Sequence, residues 1–226
     1  MIELSNRDIA FVAPLWSDKI VRSVIPAKNL LTRQNRAKRV IFIDIPKNAG
    51  RSICKAVLGK RGRPIPLRRY FTYEPQLTEK CFKFAVVRDP VDRFVSAFNG
   101  LKGSARYSDD YSEFVRRQID LFLSAEDFGQ WMASSPLNTR KVVSWLHFWP
   151  HYKRVSVQKV ELDEILYFET LPYDWPRFAE RHSLPRDLPL IGKRVSGSAQ
   201  ISDFLKSSLY YIYRKDFDLF KYGGTT

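Results

Sequence analysis

The chain reads as an α/β protein built on a largely parallel sheet. Two observations predict it. Short, nearly continuous apolar runs, Val40–Ile45 and Phe82–Val87, are what strands buried on both faces of a parallel sheet look like. Each run is followed by a turn and then by a stretch of helical periodicity, and that alternation marks βαβ units.

The elements follow in chain order. Residues 17–39 are basic and only weakly amphipathic, so 1–39 is left as an N-terminal segment without an assigned structure. The first strand stops at Pro46, Lys47–Gly50 makes a turn, and Arg51–Leu58 continues as a helix ended by Gly59. The second strand runs into Arg88-Asp89-Pro90. Asp89 suits an N-cap and Pro90 the first helical position, so a helix is expected over Val91–Asn99 with Phe94, Val95 and Phe98 on one face. Further helical stretches are Tyr111–Phe122, Glu126–Ala133 and Thr139–Trp145. Glu164–Phe168 reads as a third strand and Trp175–His182 as a helix. From Ser202 to Phe220, Phe204, Leu205, Leu209, Ile212, Tyr213 and Phe217 recur at the spacing of one helix. No repeat and no Gly/Ser linker divides the chain, so a single domain over 1–226 is expected, with its core in 40–223.

Composition narrows the function. The 226 residues carry 38 Lys+Arg against 24 Asp+Glu, a net of +14, with 44% apolar residues and 14% aromatic ones. That aromatic content argues against disorder. Two cysteines make no disulfide framework, so a reducing compartment is expected. No apolar run is long enough to span a membrane, and Met1–Ala13 lacks the apolar core of a secretory signal. The basicity is regional: residues 1–69 hold 16 cations and 4 acids, a net of +12. Lys47, Arg51, Lys55, Lys60, Arg61, Arg63, Arg68 and Arg69 fall in one stretch without an acid. Such a stretch predicts an anionic partner.

Two loops give that partner a chemistry. In Pro46–Ser52 a buried strand, a Gly-containing turn and a helix start form the general arrangement for holding phosphate. Free N–H groups and the helix dipole face the anion, Gly50 allows a close approach, Lys47 reaches a terminal anionic group and Ser52 donates a hydrogen bond. The G-x-x-x-x-G-K-[ST] loop of nucleotide triphosphatases is absent, since Lys47 precedes the one glycine. In Arg88–Phe98 the second strand delivers Arg88 at its carboxyl end, where ligands of open α/β sheets bind, and Ser96 lies two helical turns on. Asp92 and Arg93 read as structural.

The two loops, about 40 positions apart, carry a resemblance. IPKNAGRSI resembles the 5′-phosphosulfate loop, and FAVVRDPVDRFVSAF the 3′-phosphate motif, of sulfotransferases that use 3′-phosphoadenosine 5′-phosphosulfate. LHFWPHYKRV followed by ILYFETL, and IYRKDFDLFKYG near the end, are similar to segments of the carbohydrate branch. That branch includes the chondroitin and dermatan 4-O-sulfotransferases and many bacterial members. The likeness spans roughly residues 40–223. It implies a P-loop-like three-layer fold and in-line sulfuryl transfer to a hydroxyl without a metal, and the sequence offers no cluster of metal ligands.

By that resemblance, Lys47, Asn48, Ala49, Gly50, Arg51 and Ser52 hold the 5′-phosphosulfate, Arg88 and Ser96 the 3′-phosphate, and Lys193, Arg194 and Ser196 a loop over the nucleotide. Lys47 stabilises the leaving oxygen. Arg51 stands where the family often has Thr. The proton acceptor is expected at His147, with Glu74 as the second candidate, because the histidine that relatives carry before the second strand is missing here. His151 takes a place where relatives often have Gln and is expected near the acceptor, together with Arg61, Arg63, Arg68 and Arg69. His182 reads as a surface residue and Glu169 as structural. The surplus basicity suggests an acidic glycan as acceptor; protein tyrosine or a small alcohol is the alternative. A bacterial, cytoplasmic enzyme is expected, and the Golgi lumen would apply only to a trimmed chain. A nucleotide kinase or triphosphatase competes, against which stands the missing G-K-[ST]. A nucleic-acid-binding module competes too, but Lys47–Arg69 contains no aromatic residue to stack on bases.

Overall fold

The computed structural model describes residues 30–102, 110–156, 162–191 and 201–222. Three strands, β1 (Val40–Ile43), β2 (Phe82–Val87) and β3 (Glu164–Tyr167), form one parallel sheet in that order. Val40 sits opposite Phe82 and Ile43 opposite Ala85, while Phe84 meets Glu164 and Val87 meets Tyr167. Twelve helices complete the described chain: α1 (Arg33–Lys38), α2 (Gly50–Leu58), α3 (Leu67–Tyr73), α4 (Pro75–Glu79), α5 (Pro90–Leu101), α6 (Asp110–Asp120), α7 (Ala125–Ala133), α8 (Pro136–Val142), α9 (Tyr152–Val155), α10 (Leu171–Arg181), α11 (Asp203–Ile212) and α12 (Arg214–Phe220).

The apolar runs carry no polar alternation because both faces of the sheet are covered. Val40, Phe42, Phe84, Val86 and Leu166 face one way and pack on α2 and α10 through Ile53, Val57, Trp175 and Phe178. Ile41, Ile43, Ala85 and Val87 face the other way, against Leu67 and Tyr70 of α3, Val155 of α9 and Phe220 of α12. The result is an α/β fold with helices on both sides of a parallel sheet. A third apolar cluster joins α5 to α6, α7, α8 and α11 around Phe128. The rings of Phe94, Phe98, Phe122, Trp145 and Phe148 lie 5.3 to 6.2 Å from its centroid.

Local chemistry sets the helix ends. Asp89 caps α5 by accepting from the N–H groups of Val91 and Asp92, and Pro90 fills the first position. Ser124 and Asp127 form a capping box on α7, and Ser135 with Pro136 starts α8 earlier than its apolar spacing suggested. The single helix expected over Ser202–Phe220 is two: Tyr213, at φ −103° and ψ 19°, leaves helical geometry and separates α11 from α12. Its ring is fully buried and its hydroxyl donates to the Phe148 carbonyl at 2.8 Å, a tertiary contact that periodicity cannot reveal. Within the basic N-terminal segment, Thr32 and Asn35 cap α1, and Asn35 Nδ2 donates to the Val40 carbonyl.

Candidate functional site

A parallel sheet brings all its carboxyl ends to one edge. There β1 delivers the loop Asp44–Ala49 into α2, and β2 delivers Arg88 into α5. Lys47 (φ 77°) and Ala49 (φ 62°) both adopt left-handed backbone, a conformation costing of order 1 kcal/mol for each such residue. Tertiary bonds hold the loop in it. Asn48, fully buried, accepts at neither strand but donates from Nδ2 to the Val86 carbonyl of β2 at 2.9 Å. Arg88 donates from Nη1 to the Lys47 carbonyl at 3.4 Å, so the second loop is tied to the first. Among the described residues, the N–H groups of Ala49, Gly50 and Arg51 make no hydrogen bond, and the first turn of α2 holds no acid. Open donors at the start of a nine-residue helix form an anion cradle.

Two glycines make room for side chains here. A Cβ on Gly50 would lie 1.8 Å from Oδ1 of Asp44, so this glycine accommodates a carboxylate rather than a positive φ. A Cβ on Gly100, in the last turn of α5, would lie 2.1 Å from Nζ of Lys47, so the ammonium reaches across to the helix that follows Arg88. Asp44 was read as an ordinary strand position. Burial pushes its carboxyl up to about 6 against the opposing charges of Arg154 and then Arg61. Arg154 is fully buried, donates to the carbonyls of Pro64 (2.8 Å) and Leu146 (3.3 Å), and lies over the Trp149 ring.

Arg88 is buried, with its guanidinium 4.3 Å from the Phe168 ring centroid. Burial lowers its pKa, while Asp92, Glu169 and Asp89 favour the charged form, and a guanidinium stays cationic in this setting. Glu169 is structural as expected: it accepts from the Asp89 N–H at 2.9 Å and from the Tyr222 hydroxyl at 3.0 Å. Ser96 is buried on α5, and Ser52 Oγ accepts from the Ile191 N–H at 3.3 Å. Arg51 is exposed.

The family model for the sulfotransferase family matches residues 32–223, a span that contains every strand and helix described above. The chain belongs to the sulfotransferase family. No curated protein and no solved structure matches it.

Several expected positions take other work in this sulfotransferase. His151 was expected to face the acceptor, but it is fully buried beneath the first loop, where Nε2 lies 3.3 Å from Asn48 Nδ2. Burial, then Arg93 and Arg154, pushes its pKa well below 6.5, so the ring is neutral and accepts at Nε2. Its own N–H donates to Asp216 Oδ2 at 2.7 Å. Both oxygens of Glu74 are engaged at the other end of the chain, by the Leu31 N–H at 2.9 Å and by Arg36, so its carboxylate fastens α1 to α3. Arg69 is buried, Arg68 is half-buried, and Arg61 and Arg63 are exposed. His147 is buried in the turn after α8, with its carbonyl accepting from Arg93 Nη1 at 3.0 Å. His182 stacks on Phe82 and Phe178 beside the opposite, amino end of β2. Lys193, Arg194 and Ser196 lie outside the described residues.

Proposed function

We propose that the protein transfers the sulfuryl group of 3′-phosphoadenosine 5′-phosphosulfate to a hydroxyl of a carbohydrate acceptor. One observation carries the reading: two anion-type loops at adjacent strand ends are bonded to each other through Arg88 and the Lys47 carbonyl. The open N–H groups of Ala49, Gly50 and Arg51, together with Lys47, Asn48 and Ser52, hold the 5′-phosphosulfate. Arg88 and Ser96 hold the 3′-phosphate. As the acceptor oxygen bonds to sulfur, the bond from sulfur to the 5′-phosphate oxygen breaks, and adenosine 3′,5′-bisphosphate leaves. Lys47 neutralises the charge that grows on that oxygen, as fixed cations do in phosphoryl transfer. His147 takes the acceptor proton. Among the three histidines it is supported by elimination, since His151 is spent on Asn48 and His182 sits at the far end of β2. The exposed Arg61 and Arg63 suit an acidic glycan. The reading places the enzyme in a bacterial cytoplasm; no described helix is long and apolar enough to cross a membrane.

The test is thermal. Adenosine 3′,5′-bisphosphate at 100 times its Kd should stabilise the protein by about 2.7 kcal/mol, and ADP far less. Arg88→Met should erase the difference between the two nucleotides, and Lys47→Ala should cut kcat about 10²-fold or more. Absence of protection by either the donor or its product sinks the proposal.

A further inference from the structure

A second basic surface lies apart from the Arg61 and Arg63 stretch. A groove between α8, α9 and the junction of α11 with α12 is lined by Thr139, Tyr152, Lys153, Tyr211, Arg214 and Lys215, among others. Its lining holds three cations and no carboxylate. The nearest acids are already used. Asp216 is fully buried and turned inward, accepting the N–H groups of His151 and Tyr152 at 2.7 and 2.9 Å. Asp218 pairs with Arg214 at 3.6 Å. Lys153 and Lys215 are left on one ring, their Nζ atoms 6.0 and 5.4 Å from the Tyr152 centroid. Burial and then the charge of Lys215 push the Lys153 ammonium down, against the opposing charge of the buried Asp216. Beside them Tyr211 is 79% exposed and offers a large apolar face.

We infer that this groove is an accessory subsite for an acidic sugar unit of an extended glycan acceptor. The carboxylate or sulfate of one unit sits between Lys153 and Lys215, and its C–H face covers Tyr211. The inference rests on the proposed carbohydrate acceptor and adds where the rest of the polymer lies. Position argues for a polymer. Lys153 is two residues from His151, whose ring contacts the first loop through Asn48, so the Cα atoms of His151 and Lys153 are at most about 8 Å apart. A nucleic acid fits less well. Its bases need open aromatic faces in series, and here the two ammonium groups already occupy the surroundings of Tyr152.

The probe is a size-defined hexasaccharide of alternating uronate and sulfated amino sugar, with its desulfated, carboxyl-reduced counterpart as control. Binding is measured by calorimetry with adenosine 3′,5′-bisphosphate present, and transfer is measured separately. Wild type should bind the acidic hexasaccharide and not the reduced one. Lys153→Ala/Lys215→Ala should weaken that binding and raise the hexasaccharide KM about tenfold, with kcat, product-nucleotide Kd and melting temperature unchanged. Lys153→Arg/Lys215→Arg should restore it. Equal binding by wild type and the alanine variant overturns the subsite while leaving sulfuryl transfer to glycans standing. Tighter competition by a single-stranded oligonucleotide of equal charge also overturns it. If wild type transfers to no glycan at all, the acceptor class itself fails, and the transfer assay reports that separately.

Discussion

At the scale of single residues, the loop between β1 and α2 depends on a histidine fully buried beneath it. Asn48 Nδ2 carries two hydrogens, and they go to the Val86 carbonyl and to His151 Nε2. His151→Leu leaves one of them buried without an acceptor, which costs about 1–3 kcal/mol. The loss should appear as a lower melting temperature and a weaker hold on adenosine 3′,5′-bisphosphate. His151→Gln supplies an amide oxygen and should recover most of both; a leucine variant with wild-type nucleotide affinity would refute the role. Asp44 makes a second prediction, through pH. Burial raises its folded pKa to about 6 from the ordinary carboxylate value of 3.8, so the folded state keeps the proton longer than the unfolded state does. Ionising this group therefore costs stability as pH rises from about 4 to 6, and the cost persists above that window. Asn copies the protonated form. The stability of Asp44→Asn relative to wild type should thus shift in the variant's favour by about 2–3 kcal/mol between pH 4 and pH 8. A difference that does not change with pH would show that the carboxyl is not desolvated.

At the scale of elements, packing overrides propensity at Gly129. Glycine inside a helix costs about 1 kcal/mol relative to alanine, yet one sits mid-way along α7. A Cβ there would lie 2.5 Å from Leu205 Cδ2, and Leu205 is fully buried on α11. Gly129→Ala should therefore destabilise by about 1–3 kcal/mol, measured by urea unfolding, in spite of the better helix former. The strands and α2, α5 and α7 were legible from local signals: apolar runs for the strands, Gly59 as the stop of α2, Asp89 before Pro90 for α5, and the helical stretch Glu126–Ala133 for α7. Helices α3, α4 and α9 were not, being four to seven residues long with too few turns to show a period. The break between α11 and α12 was hidden because Tyr213 fits both the helical period and the buried bond to Phe148. The site divides in the same way. Lys47 and Arg88 stand out as candidates by their places after strand ends, and Ser96 by its place two turns along α5. The tasks of His151, Asp44 and Gly100 were not, because each is set by a partner that only the fold brings near; Asn48 and His151 are 103 positions apart.

At the scale of the whole molecule, one buried cation joins α5 to the turn after α8 and to α12. Arg93 of α5 is 1% exposed, donates to the His147 carbonyl and lies 5.4 Å from the Tyr213 ring centroid. Its charge faces Asp216, the carboxylate that holds the N–H groups of His151 and Tyr152. The same guanidinium thus bears on the turn that carries His147, on the histidine beneath the first loop and on α12. Arg93→Met should cost about 3–5 kcal/mol, because it strands a buried carboxylate and a carbonyl. The loss has a direction in pH. Burial already raises the Asp216 pKa, with Arg93 as the largest opposing influence, so removing Arg93 raises it further. Well below pH 4 the carboxyl is protonated in both proteins and the penalty is smallest; it grows as the pH rises through the carboxylate range. His151, whose pKa Arg93 also depresses, would gain a proton more readily in the variant and soften the loss on the acid side in the same sense. Urea unfolding of wild type and Arg93→Met from pH 3 to pH 8 measures the trend. A penalty that stays constant over that range would mean that Arg93 acts by packing and by its bond to His147 alone, and that Asp216 does not depend on its charge.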